Sequence, residues 1–151
     1  MIKSIRRNPC FECEQRGVTL VEVLVTVIII SVGLLGVAAL HLTSLRTGYE
    51  SNVRSKAVWF ASDIIERMRS NRDAARAGAY TVALGSSLTP GTVAGNDVNA
   101  WQAALIDTTS GIPAGQGSIS SVAVGSNIVF TVSIQWTERD GNHTFVTQTE
   151  I

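Results

Sequence analysis

The sequence predicts an α+β fold. One long N-terminal helix, apolar in its front half and amphipathic in its back half, packs on a small C-terminal antiparallel sheet. Three observations predict it. From Val23 to Leu45 the chain carries no Asp, Glu, Lys or Arg; at 1.5 Å per residue that run reaches roughly 35 Å, enough to cross a bilayer. Val53, Ala57, Phe60, Ala61, Ile64 and Met68 then recur at spacings of three and four, the mark of one apolar helix face. Beyond residue 117 the chain alternates apolar and polar residues and is rich in Val, Ile, Thr and aromatics, which is the pattern of half-buried strands.

Residues 1–17 read as a targeting leader. Of the 12 basic and 12 acidic residues in the chain, Lys3, Arg6, Arg7, Arg16, Glu12 and Glu14 precede Gly17, so the leader is net positive and the rest net negative. Basic residues ahead of an apolar span hold that end in the cytoplasm. The net charge of zero speaks against non-specific nucleic-acid binding through bulk charge. An ordinary secretory signal has a shorter apolar core followed by a small-residue cleavage site. No such site follows this run, and the candidate cut lies on its near side, at Gly17. Cys10 and Cys13, the only cysteines, are spaced C-x-x-C in the leader. They lack the βαβ pattern of a redox motif, and two thiolates make only half a zinc site.

The helix is expected from about Val18 to about Arg72. Glu22 sits inside the front of the apolar run. A carboxylate at a bilayer centre costs roughly 2.5–3.5 kcal/mol, so an intramembrane acid is a functional hypothesis from the outset. Gly33 and Gly36 interrupt the run. They fit close helix–helix packing through a small-residue face or a point where the helix stretches, since each Gly costs about 1 kcal/mol against Ala. In the back half, Glu50 with Arg54 and Asp63 with Arg67 are i,i+4 pairs with the acid first, the better orientation. Gly78 ends the helical pattern.

A short strand is expected over 79–84, followed by a Gly/Ser/Thr/Pro loop. Residues 97–107 form a short amphipathic helix with Val98, Trp101, Ala104 and Leu105 on one side and Asn96 or Asp97 as its cap. Strands follow at 118–124, 128–136 and 143–149, separated by the turn signals Gly125-Ser126 and Asp140-Gly141. Ile128, Phe130, Val132, Ile134 and Trp136 share the face expected to meet the long helix.

His41 and His143 are far apart and lack carboxylate or Cys neighbours in this reading, so neither is assigned as a ligand. Trp59, Trp101 and Trp136 are expected in the core. Arg67, Arg69, Arg72 and Arg76 cluster where basic residues favour a helix C-terminus. Asn142-His143-Thr144 matches a glycosylation pattern too short to carry weight. No G-x-S-x-G motif or paired-acid arrangement occurs. No catalytic residue, cofactor site or metal site is assigned, and the chain is read as an enzyme's substrate.

These residues carry a resemblance. The leader, Gly17, Thr19-Leu20, Glu22 and the apolar helix resemble the class III signal of type IV pilins and pseudopilins. In that family prepilin peptidase cuts after the Gly and methylates the new amino terminus. Carried over by position, the cut falls between Gly17 and Val18, Val18 becomes the methylated end, and Glu22 is the fifth mature residue. The family usually has Phe at the first mature position, where this chain has Val18. Ser31-Val32-Gly33-Leu34-Leu35-Gly36, Ser44-Leu45-Arg46 and Glu66-Arg67-Met68-Arg69-Ser70-Asn71 resemble the PilV group of minor pilins, the type IV pilus modification proteins. So do Trp101, Ile112-Pro113-Ala114-Gly115-Gln116-Gly117 and Val132-Ser133-Ile134-Gln135-Trp136.

The resemblance implies a leader over 1–17, a transmembrane and filament-core half-helix over 18–46 and a globular domain over 47–151. It implies a low-abundance subunit of the bacterial inner membrane with a periplasmic domain, which primes pilus assembly and sits at or near the tip. The implied partners are other minor pilins, the major pilin, prepilin peptidase, the inner-membrane assembly platform and a tip adhesin. Glu22 then has two readings: it meets the positive amino terminus of an adjacent subunit and sets axial register, or it snorkels to the cytoplasmic interface. A minor pseudopilin of type II secretion shares the signal and the helix. A single-span anchored binding module would keep its leader.

Overall fold

The computed structural model describes residues 17–151. The described chain runs α1 (Leu20–Ser70), α2 (Arg72–Arg76), α3 (Val93–Leu105), β1 (Gln116–Val124), β2 (Asn127–Glu138) and β3 (Gly141–Glu150). It divides into two compact units, one up to Leu45 and one from Arg46 to Ile151. The long helix α1 supplies residues to both.

In the first unit α1 is exposed all round. It is long and apolar enough to cross a membrane by length and composition. Hydroxyls within it are turned back on the helix: Thr26 Oγ1 donates to the Val23 carbonyl at 2.8 Å and Ser31 Oγ to that of Val27 at 2.7 Å. A hydroxyl satisfied by its own helix needs no water, as a hydrocarbon setting requires. The helix continues unbroken through Gly33 and Gly36, so the stretched form is not adopted here.

In the second unit the back half of α1 buries the face its spacing predicts: Val53, Ala57, Phe60, Ala61, Ile64 and Met68 are all buried. They join one core with Trp101 and Leu105 of α3 and with Phe130, Val132 and Ile134 of β2. The sheet is antiparallel in the order β1-β2-β3. Ile119 of β1 and Thr147 of β3 flank Val132 of β2. The inward face of β2 is as the alternation predicts: Phe130, Val132, Ile134 and Trp136 are buried and Ile128 half-buried. Val124 pairs with Asn127, which leaves Gly125-Ser126 as a two-residue turn. Gly125 there has φ +64°, a conformation that glycine adopts without steric cost.

The structure corrects four expectations. The long helix stops at Ser70. Asn71 leaves helical geometry at φ −122° and ψ 54°, and α2 follows as a separate short turn. Residues 79–84 form no strand but a single bridge in which Val82 and Ile119 exchange backbone hydrogen bonds of 2.9 and 3.0 Å. Turn bonds on either side, Thr81 N–H to Gly78 O and Ser86 N–H to Ala83 O, curl the chain before the pairing can spread. The helix α3 begins at Val93, and its cap is Thr92, whose hydroxyl accepts from Gly95 N–H at 3.0 Å. Asn96 instead accepts from Gly91 N–H at 3.2 Å, and Asp97 accepts from the Tyr80 hydroxyl at 2.7 Å.

Trp59 is the fourth correction. Trp101 and Trp136 are buried, but Trp59 is 63% exposed. It directly precedes Phe60, and a one-residue step turns a side chain about 100° round a helix, off the face that Phe60 buries.

Two polar ties brace this core. Arg67 bridges Asp63 at 3.0 Å and Asp97 at 3.6 Å, so one of the two expected i,i+4 pairs forms and also reaches α3. Among the described residues Glu50 and Arg54 make no ion pair within 4.0 Å. Tyr80 is buried and also accepts from Asn71 Nδ2 at 3.2 Å. Burial, then the Asp97 hydrogen bond, raises its phenol above the ordinary value near 10.0.

Candidate functional site

The N-terminal signal is built from the start of α1. Gly17, Val18 and Thr19 are exposed and precede the helix. Thr19 then closes the first turn: its carbonyl accepts from Glu22 N–H at 3.0 Å and from Val23 N–H at 3.3 Å. Its hydroxyl accepts from Glu22 N–H at 3.3 Å. That is an N-cap, and it satisfies donors that would otherwise lack partners at a helix start. Thr19-Leu20-Val21-Glu22 has the S/T-x-x-E spacing of a capping box, a signal the sequence reading passed over. Glu22 lies in the first turn of α1, where the helix dipole favours a negative charge. It is exposed, and no cation lies within ion-pair distance of it among the described residues.

On either side of Glu22, the large apolar residues from Leu20 to Leu45 are exposed, Leu20 by 77% and Leu40 by 73%. Water-soluble monomers rarely expose contiguous apolar patches above a few hundred Å². A stretch of this kind would be stabilised by contact with lipid or other apolar helices.

Cys10, Cys13 and the basic residues of the leader lie outside the described residues. Of the arginine cluster, Arg69 bonds Glu66 at 2.6 Å and Thr149 at 3.2 Å, and Arg76 Nε donates to the Ile151 carbonyl at 3.1 Å. With Arg67 engaged by Asp63 and Asp97, these three guanidinium groups tie elements of the domain together.

His143 has company after all, contrary to the sequence reading. The β2–β3 turn places its Nε2 at 3.0 Å from Asp140 Oδ1 and 3.8 Å from Glu138 Oε2. The Asp140 hydrogen bond, with the charges of Asp140, Glu138 and Glu50 adding to it against partial desolvation, raises the imidazole above its usual value. His143 in turn lowers the Asp140 carboxyl. The signal was legible: three potential ligands within six residues, across a two-residue turn. A cleft of about 340 Å³ lies beside them, lined by Thr47, Glu50, Ser51, Arg54, Trp136, Glu138 and His143.

Residues 39–104 match the family model described as Tt1218-like, Type IV pilin Tt1218. Residues 14–38 match the prokaryotic N-terminal methylation motif. No curated protein and no solved structure matches the chain.

Proposed function

We propose that this chain, which carries a type IV pilin domain behind an N-terminal methylation motif, is a minor pilin of the PilV kind. It primes pilus assembly and sits at or near the tip. One observation supports this most. A single helix is bare and apolar over its first half and packed into a domain core over its second. Such a helix is stable only where something else covers its front half, first the bilayer and then the helices of other subunits.

Prepilin peptidase cuts between Gly17 and Val18 and methylates the Val18 amine. The exposed, non-helical backbone at Gly17–Thr19 supports that reading, because a peptidase needs an unwound substrate. The new amine is positive. Glu22 of one subunit pairs with that amine on its neighbour and fixes the axial register, since an acid carried into an apolar bundle is stable only when paired. The helix dipole favours Glu22 as an anion, so the group arrives charged. Before assembly the subunit is a single-span protein of the bacterial inner membrane with a periplasmic domain over 47–151. Its partners are the major pilin, other minor pilins, the assembly platform and a tip adhesin.

Deleting the gene tests the role. The proposal expects sheared pili to fall at least tenfold, with the major pilin accumulating in the membrane, and tagged protein to appear at filament ends. Unchanged piliation, or label spread evenly along the filaments, counts against a priming subunit at the tip.

A further inference from the structure

We propose that the β2–β3 turn is a binding site for a divalent first-row transition ion of the zinc class, held by Glu138, Asp140 and His143. The three residues come from the end of β2, the turn and the start of β3. One ligand atom from each lies within 4.8 Å of the others. His143 Nε2 stands 3.0 Å from Asp140 Oδ1 and 3.8 Å from Glu138 Oε2. Ligand bonds of about 2.0–2.2 Å in a tetrahedron separate donor atoms by roughly 3.3 Å. An ion fits here with side-chain adjustments of roughly an ångström or less.

Two features show that the ligands are held in place. The Glu138 side chain is only 10% exposed. Its Oε1 accepts from Trp136 Nε1 at 2.6 Å, while Oε2 faces the imidazole without a hydrogen bond. A largely shielded carboxylate with one oxygen anchored and the other directed at a His is the arrangement that outer-shell partners give to metal ligands. The His143 ring lies on Trp136 with centroids 5.9 Å apart and planes at 21°, so its Nε2 is aimed by stacking. The hairpin register pairs Trp136 with His143 and Glu138 with Gly141, and backbone pairing thus sets all three positions.

The donor set chooses the ion. An imidazole with two carboxylates suits zinc-class ions, whereas calcium takes six to eight oxygens and magnesium an octahedral, mostly hydrated shell. The cleft beside the ligands leaves room for water in the remaining coordination position. Glu50 and Arg54 line that cleft and offset each other's charge, so the carboxylates of the turn decide its sign. A bound ion joins the ends of β2 and β3, and because it binds only the folded hairpin it stabilises the domain by mass action.

The test is calorimetric titration of the full chain in detergent with zinc chloride, with Cys10→Ser and Cys13→Ser in every sample so that the leader thiols take no metal. One zinc per chain is expected, with a raised Tm that magnesium and calcium do not reproduce. His143→Gln and Glu138→Gln each weaken binding at least tenfold, and Glu150→Gln, elsewhere on β3, leaves it unchanged. Asp140→Asn, at a side chain 72% exposed, gives the same weakening without touching buried structure. The inference is overturned by the lack of saturable zinc binding, by binding that survives His143→Gln and Asp140→Asn, or by equal loss in Glu150→Gln.

Discussion

Under the proposed function, a Glu22→Val chain is expected to be cut at Gly17 like the parent, to fold like it and to fail to enter pili. The domain core lies from Val53 onward, so the substitution leaves packing alone. Locally it removes an acid from the first turn of α1, a loss of about 0.3–1 kcal/mol of helix-dipole interaction. Thr19 still caps the helix, because its hydroxyl accepts from a backbone N–H that Val also has. In the proposed pairing of Glu22 with a neighbouring subunit's amine the loss is larger. Removing one member of a buried ion pair strands the other, at about 3–5 kcal/mol, which is roughly two to four orders of magnitude in an equilibrium constant. Glu22→Gln, which keeps the shape, should fail nearly as badly. The readout is the ratio of tagged protein in sheared pili to that in membranes. Normal incorporation of either variant would remove the register role of Glu22.

Trp101→Ala should unfold the globular domain well below the melting temperature of the parent. Trp101 is fully buried, and its Nε1 donates to the Phe60 carbonyl at 2.9 Å, which ties α3 to the long helix. On its other side the ring lies over Gly117. A Cβ there would come within 2.1 Å of Trp101 Cη2, so only glycine lets β1 approach this closely. Replacing a buried Trp by Ala costs about 3–5 kcal/mol, and the lost hydrogen bond adds about 1 kcal/mol. For a domain of this size that is a fall in Tm on the order of 15 °C or more. Trp101→Phe fills most of the volume and loses less. Circular dichroism melts in detergent decide the matter, and a shift of only a few degrees for Trp101→Ala would mean that the ring is not the keystone of this core.

The fold was legible where one period dominates. The three-and-four spacing from Val53 to Met68 named the buried face of α1 residue by residue, and the alternation from Ile128 to Trp136 did the same for β2. Legibility failed where a side chain took a role that its type does not announce. Thr92 rather than Asn96 caps α3, because the helix already begins at Val93 and Asn96 lies inside its first turn. Val82 pairs with Ile119 alone, because turns on both sides end the pairing. Trp59 faces out because one step along a helix moves it off the apolar stripe. At the N-terminus, Gly17, Val18 and Glu22 stand out through the resemblance of their motif, while the Thr19 cap is written in the T-x-x-E spacing itself. The company of His143 is legible too, with Asp140 three and Glu138 five residues before it. The two-residue turn between β2 and β3 is what brings their side chains together on one side of the hairpin.

The most direct measurement is the mass of the N-terminal peptide of the protein recovered from membranes and from sheared pili. The expected result under the proposed function is a chain that begins at Val18, carries one methyl group on its amine and keeps the whole apolar helix. A chain that retains the leader, or one that begins beyond Leu45, contradicts it.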